Sequence, residues 1–119
     1  MGPMPVKILT VCKHGLVRSV ALADVLKLHF ELVDVIPVGY ASNSQATFDM
    51  LCNWANFVIF MEERYIDKIH FAKPSQILVC EVGQDRYGNS HNKELIEKCW
   101  NWTRQFASVL GIQEHNRSI

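Results

Sequence analysis

A single α/β domain is what this sequence predicts: a three-layer sandwich, with a four-stranded parallel sheet carrying helices on both faces. Three observations lead there. Short apolar runs at 6–11, 33–40, 56–61 and 76–81 alternate with helix-patterned stretches. That alternation implies right-handed crossovers and a parallel sheet covered on both sides. No linker, repeat or low-complexity tract divides the 119 residues, and a chain of that length supports one domain with a real core. Composition, 49% apolar and 20% charged, is that of an ordinary globular chain.

The elements follow in order. The opening 1–5 is a lead-in without pattern. Val6–Val11 reads as a short buried strand. Ser19–His29 reads as a helix apolar on nearly every side (Val20, Leu22, Ala23, Val25, Leu26, Leu28), hence packed on more than one face. Val33–Tyr40 is a second strand, and Pro37 pushes it to an edge. The turn 41–44 offers Ser44 as N-cap of a short helix at 45–54. A continuous apolar strand at 56–61 precedes a third helix at 62–70, with acids in its first turn. Pro74 breaks the chain before the fourth strand, 76–81. A polar loop, 82–92, leads to the last helix, 93–110. Its apolar stripe is Leu95, Ile96, Cys99, Phe106, Val109 and Leu110, flanked by Trp100 and Trp102. Gly111 ends it, and 112–119 reads as a fraying tail.

Composition also excludes. Formal net charge is zero, so no field draws nucleic acid or an anionic membrane. No apolar run is long enough to span a bilayer, and the N-terminal region has no secretory pattern. Cys12, Cys52, Cys80 and Cys99 have neither CxxC nor metal-ligand spacing. A reduced, cytoplasmic, monomeric protein without metal or organic cofactor is expected.

Chemistry concentrates in the run Val11-Cys12-Lys13-His14-Gly15-Leu16-Val17-Arg18-Ser19. It links an apolar strand to a helix start, where loop amides converge and the helix dipole favours an anion. Cys12 has the surroundings of an activated thiolate nucleophile. The amides of Lys13, His14, Gly15, Leu16 and Val17 form the anion cradle. Arg18 offers a planar fork to two phosphoryl oxygens, which Lys cannot copy. Gly15 lets the loop turn inward. Ser19 hydrogen-bonds the thiolate, caps the helix, or does both. Ligands of such sheets bind beyond the carboxyl ends of the strands, so the Cys12 loop, the Ser42 turn and the Asp85 loop should meet. Asp85 is the candidate general acid. Tyr87 either stacks on substrate or caps its loop. Cys80 reads as a buried thiol, with a redox role as the alternative.

These residues, in this order, resemble the low-molecular-weight protein tyrosine phosphatases. Cys12-x5-Arg18-Ser19 is similar to the family's phosphate loop, and Tyr40-Ala41-Ser42-Asn43-Ser44 to its turn after the second strand. The run 55–63 is similar to its third strand, ending in Met and acids, and Asp85-Arg86-Tyr87-Gly88 to its Asp-Pro-Tyr loop. The resemblance implies a low-molecular-weight phosphatase-like fold and hydrolysis of phosphate monoesters, protein phosphotyrosine included, through a phosphocysteine. It implies Cys12 as nucleophile, Arg18 as clamp, Ser19 as the thiolate's partner and Asp85 as acid. The partner is then a phosphorylated protein or a small phosphate ester. Departures are Gly15 for the loop Asn, Val17 for a second Cys, Arg86 for Pro, and a short stretch between the second and third strands, as in compact, divergent members. Two alternatives share the loop: an arsenate reductase-like redox enzyme, which needs resolving cysteines behind the fourth strand, and a catalytically inactive phosphate-binding interaction module. A phosphocysteine carrier fits less well, because Arg18 would hold the group that a carrier must hand on.

Overall fold

The most apolar strand occupies the middle of the sheet. The structure, a computed structural model, describes residues 4–68 and 76–115. β1 (Val6–Cys12) is followed by α1 (Arg18–His29), β2 (Phe30–Glu31), β3 (Val33–Gly39), α2 (Gln45–Trp54) and β4 (Phe57–Phe60). A 3-10 helix (Glu63–Lys68), β5 (Ile77–Val79), α3 (Lys93–Leu110) and β6 (Gln113–Glu114) complete the chain. The main sheet is parallel, in the order β3-β1-β4-β5. The chain first steps from β1 to β3 and then crosses to β4 on the other side. The carboxyl ends of β1 and β4 therefore flank the point where strand order reverses, the usual ligand crevice of such sheets.

Alternation along β1 divides the core in two, because neighbouring side chains point to opposite faces. Ile8 and Cys12 join Leu22, Leu26, Leu95 and Cys99, so α1 and α3 cover one face. Leu9 and Val11 join Phe48, Cys52 and Tyr65, so α2 and the 3-10 helix cover the other. Pro37 lies on edge strand β3, opposite Thr10, where its missing N–H weakens the sheet least. Thr10 Oγ1 donates to the Ser19 carbonyl at 2.8 Å and ties β1 to the start of α1.

The caps explain the helix limits. Ser44 Oγ accepts from Thr47 N at 3.2 Å at the start of α2. Asn92 Oδ1 accepts from Leu95 N at 3.1 Å at the start of α3. Gly111, at φ 72°, closes α3 in the left-handed conformation that glycine adopts most easily.

The structure departs from sequence expectation in four places. The third helix is a 3-10 turn, opened by a Tyr65 N to Glu62 O bond at 3.3 Å; residues 69 and 70 of the expected helix lie outside the described residues, as does Pro74. The tail is pinned, not frayed, over 112–115: Ile112 is buried and β6 pairs antiparallel with β2. The remaining tail, 116–119, and residues 1–3 of the lead-in lie outside the described residues. Val109 is exposed, and Thr103, which the α3 stripe left out, is buried. Thr103 can be buried because its hydroxyl donates to the Cys99 carbonyl at 2.7 Å. Leu28 is also exposed, which narrows the apolar girdle of α1. Trp100 and Trp102 pack on the core, and Trp102 Nε1 donates to Val79 O at 2.8 Å. Among the described residues no helix is long and apolar enough to cross a membrane.

Candidate active site

β1 delivers Cys12 to the carboxyl edge of the sheet, and α1 turns back from the loop that follows. Two glycines make the turn possible. Gly15 has φ 74°, a left-handed conformation that favours glycine. A Cβ on Gly15 would lie 2.5 Å from Gly39 N, and a Cβ on Gly39 would lie 2.2 Å from the His14 carbonyl carbon. The loop thus lies backbone against backbone on the end of β3. Tyr40 N to Cys12 O at 3.1 Å and Ala41 N to Lys13 O at 2.9 Å fasten it there. Ser42 Oγ adds a 3.2 Å bond to the His14 carbonyl, so the Ser42 turn does reach the Cys12 loop.

Cys12 Sγ lies at the centre of this turn. Gly15 N donates to it at 3.1 Å, and Ser19 Oγ lies 3.1 Å away. The helix cap is Val17, which makes no side-chain cap bond. The cap reading of Ser19 is therefore corrected: its hydroxyl serves the thiol from inside the helix. Among the described residues, the amides of Leu16, Val17, Arg18 and Ser19 make no hydrogen bond to protein. These are the donors that a bound anion satisfies at a helix start. Leu16 points outward and is exposed, whereas Val17 packs on the core. The side chains of Lys13 and His14 are exposed.

Arg18 is 1% exposed. One of its terminal nitrogens reaches Glu62 Oε1 and, at 2.9 Å, the Gly83 carbonyl. The other donates to Tyr65 Oη at 3.1 Å. Its Nε is buried without a partner. A buried guanidinium N–H left unpaired is expensive, and a phosphoryl oxygen is the kind of acceptor it lacks.

Glu62, which sequence reasoning passed over as a strand-end acid, anchors this group. It is buried, accepts from Arg18 and from Tyr65 Oη (2.8 Å) on Oε1, and meets Arg64 Nε at 2.6 Å on Oε2. Burial pushes its carboxyl pKa up, but the Arg18 and Tyr65 hydrogen bonds and the Arg18 and Arg64 charges outweigh that and hold it below its ordinary value. No local signal marks Glu62: its role comes from lying just past β4, which packs beside β1.

Asp85 is brought to the same place. It lines a cavity of about 370 Å³ with Arg18, Lys13, His14 and Arg64, as its position after the fourth strand requires. Tyr87 takes the loop-capping role and not the stacking one. It is buried, its hydroxyl bonded to the Val82 carbonyl and to Lys98 Nζ. The other thiols are shut away from solvent. All three are buried and outside any disulfide. Burial raises the Cys52 pKa to about 12. A side-chain hydrogen bond with Cys99, with burial added, raises Cys80 well above the usual thiol range. Among the described residues no cluster of three or more His, Cys, Asp or Glu is arranged to hold a metal.

No protein-family model, no curated protein and no solved structure matches the chain.

Proposed function

We propose that this protein is a cysteine-dependent phosphatase of low-molecular-weight phosphatase-like fold, hydrolysing phosphate monoesters through a phosphocysteine. One observation carries the reading: Cys12 Sγ is held by Gly15 N–H and Ser19 Oγ, while the amides around it and Arg18 Nε have no protein partner. Those donors suit the equatorial oxygens of a phosphoryl group, which gather charge in the transition state.

The thiolate of Cys12 forms the S–P bond as the ester P–O bond breaks. Asp85 gives its proton to the leaving oxygen. Water then attacks the phosphocysteine, Asp85 takes the water's proton, and the Cys12 thiolate departs from phosphate. Ser19 Oγ, 3.1 Å from the sulfur, stabilises the thiolate both as it attacks and as it leaves. Glu62 and Tyr65 keep the guanidinium of Arg18 in one orientation.

A second reading, a phosphate-binding module without turnover, is favoured by one contact: Glu62 already neutralises much of Arg18. The two readings separate in one assay. Hydrolysis of p-nitrophenyl phosphate is measured between pH 5 and 7, with chelator and reductant present, for the wild type and Cys12→Ser. Turnover lost in Cys12→Ser supports the phosphatase. No turnover from a reduced wild type that still binds phosphate supports the module.

A further inference from the structure

The mouth of the site holds a second compartment. Beside the cavity that contains Arg18 and Asp85 lies another, of about 310 Å³, lined by Lys13, Tyr40, Arg64 and Tyr65. Lys13, Arg64 and Tyr65 belong to both cavities, so they form the partition between them. The second compartment has two cations and two aromatic rings among its lining residues, and no carboxylate. The rings of Tyr40 and Tyr65 pack at 4.8 Å between centroids and give it a firm wall.

Its charge is not balanced from within the protein. Arg64 shares Glu62 with Arg18, so one carboxylate faces two guanidinium groups. Lys13 makes no ion pair or side-chain hydrogen bond among the described residues, and it directly follows the proposed nucleophile. Among the described residues the compartment therefore holds one cation without an ion pair, Lys13, and a second, Arg64, whose only carboxylate is shared with Arg18, and it adjoins the place where a phosphoryl group would sit.

Resting on the phosphatase reading, we infer that the substrate is a small phosphate monoester carrying a second anionic group, a carboxylate or another phosphate, which Lys13 and Arg64 bind in this compartment. Its size fits one such group on a short linker. A plain aryl phosphate brings no group into this compartment to pair with Lys13. A second anion would pair with the exposed ammonium of Lys13, a contact that salt weakens.

The test compares phenyl phosphate with 4-carboxyphenyl phosphate on the full chain. The quantity read is the ratio of their kcat/KM values, which in wild type should favour the carboxylate by about tenfold at low salt. Lys13→Gln should bring that ratio down several-fold, and so should raised salt. Comparing ratios removes any general effect of the substitution on turnover. The same pair is titrated into Cys12→Ser by calorimetry. A binding preference for the carboxylate without wild-type turnover would keep the anion compartment and overturn the phosphatase. A ratio that the substitution and salt both leave unchanged, in turnover and in binding, overturns the inference. So does a phosphotyrosyl peptide with acidic neighbours that outperforms the small dianionic ester.

Discussion

Glu62 and Arg18 form a nearly dry ion pair, at 5% and 1% exposure, and such pairs tie stability to pH. The Glu62 carboxyl titrates below its ordinary value in the folded protein. Its contribution is therefore complete above the unfolded carboxyl pKa and is lost as pH falls through the lower, folded one. Glu62→Gln leaves Arg18 buried without a countercharge, and about 3 kcal/mol of stability should go at neutral pH. The difference between wild type and Glu62→Gln should then narrow as urea melts are run at successively lower pH, below the ordinary carboxyl value of 4.5. Exposed acids such as Glu94 titrate in both proteins and cancel from that difference. A gap that stays constant through the acid range would mean that Glu62 is not the group held low. That Cys12, Arg18, Ser19 and Asp85 come together was legible in the sequence, because they sit after parallel strands and around one helix start. Glu62 and Tyr65 were not. Their roles depend on β4 lying beside β1, and lateral strand order is not written in the chain order.

Among the elements, the turn between β1 and α1 rests on two glycines of different kinds. Gly15 needs its left-handed φ, a requirement that loop residues advertise. Gly39 has no such φ and matters only because the loop backbone presses on it. Nothing in the local sequence marks that contact, since it joins positions far apart in the chain. Gly39→Ala puts a methyl into the His14 carbonyl, so the loop must lift off β3 and carry Gly15 N–H away from Cys12 Sγ. The overpacking should cost about 2 kcal/mol. The displaced loop should lower kcat/KM for p-nitrophenyl phosphate by about a hundredfold, as small misplacements of reacting groups do. Wild-type turnover in a folded Gly39→Ala would show that the loop does not depend on this contact. The limits of α2 and α3 were readable for the opposite reason: Ser44, Asn92 and Gly111 act within a few residues of themselves. The segment after β4 was read simply as a helix and not as a 3-10 helix, because acids in a first turn suit either.

In the whole molecule, the candidate site and the β2–β6 anchor are at opposite ends of the sheet. The Cys12 loop, Glu62 and Asp85 all follow the carboxyl ends of parallel strands. β2 and β6 lie near the other end, where Val6 N also bonds the Leu32 carbonyl at 2.9 Å. α1 spans the distance between them, about 18 Å for twelve residues. The alternation of strands and helices predicted the site end, since every βα loop of a parallel sheet emerges on one side. It did not predict the anchor, because two-residue strands are too short to leave a period. Ile112 belongs to the core cluster that also holds Leu22, Leu26 and Leu110. Ile112→Ala should remove about 2 kcal/mol, the low end for a buried isoleucine because this one lies at the rim. The melting temperature should fall by several degrees. Assayed well below that temperature, kcat/KM for p-nitrophenyl phosphate should match wild type, since none of the donors around Cys12 is touched. Coupled losses of stability and turnover in Ile112→Ala would mean that strain at the β2–β6 pair travels along α1 to the loop, and that the two ends are one cooperative device.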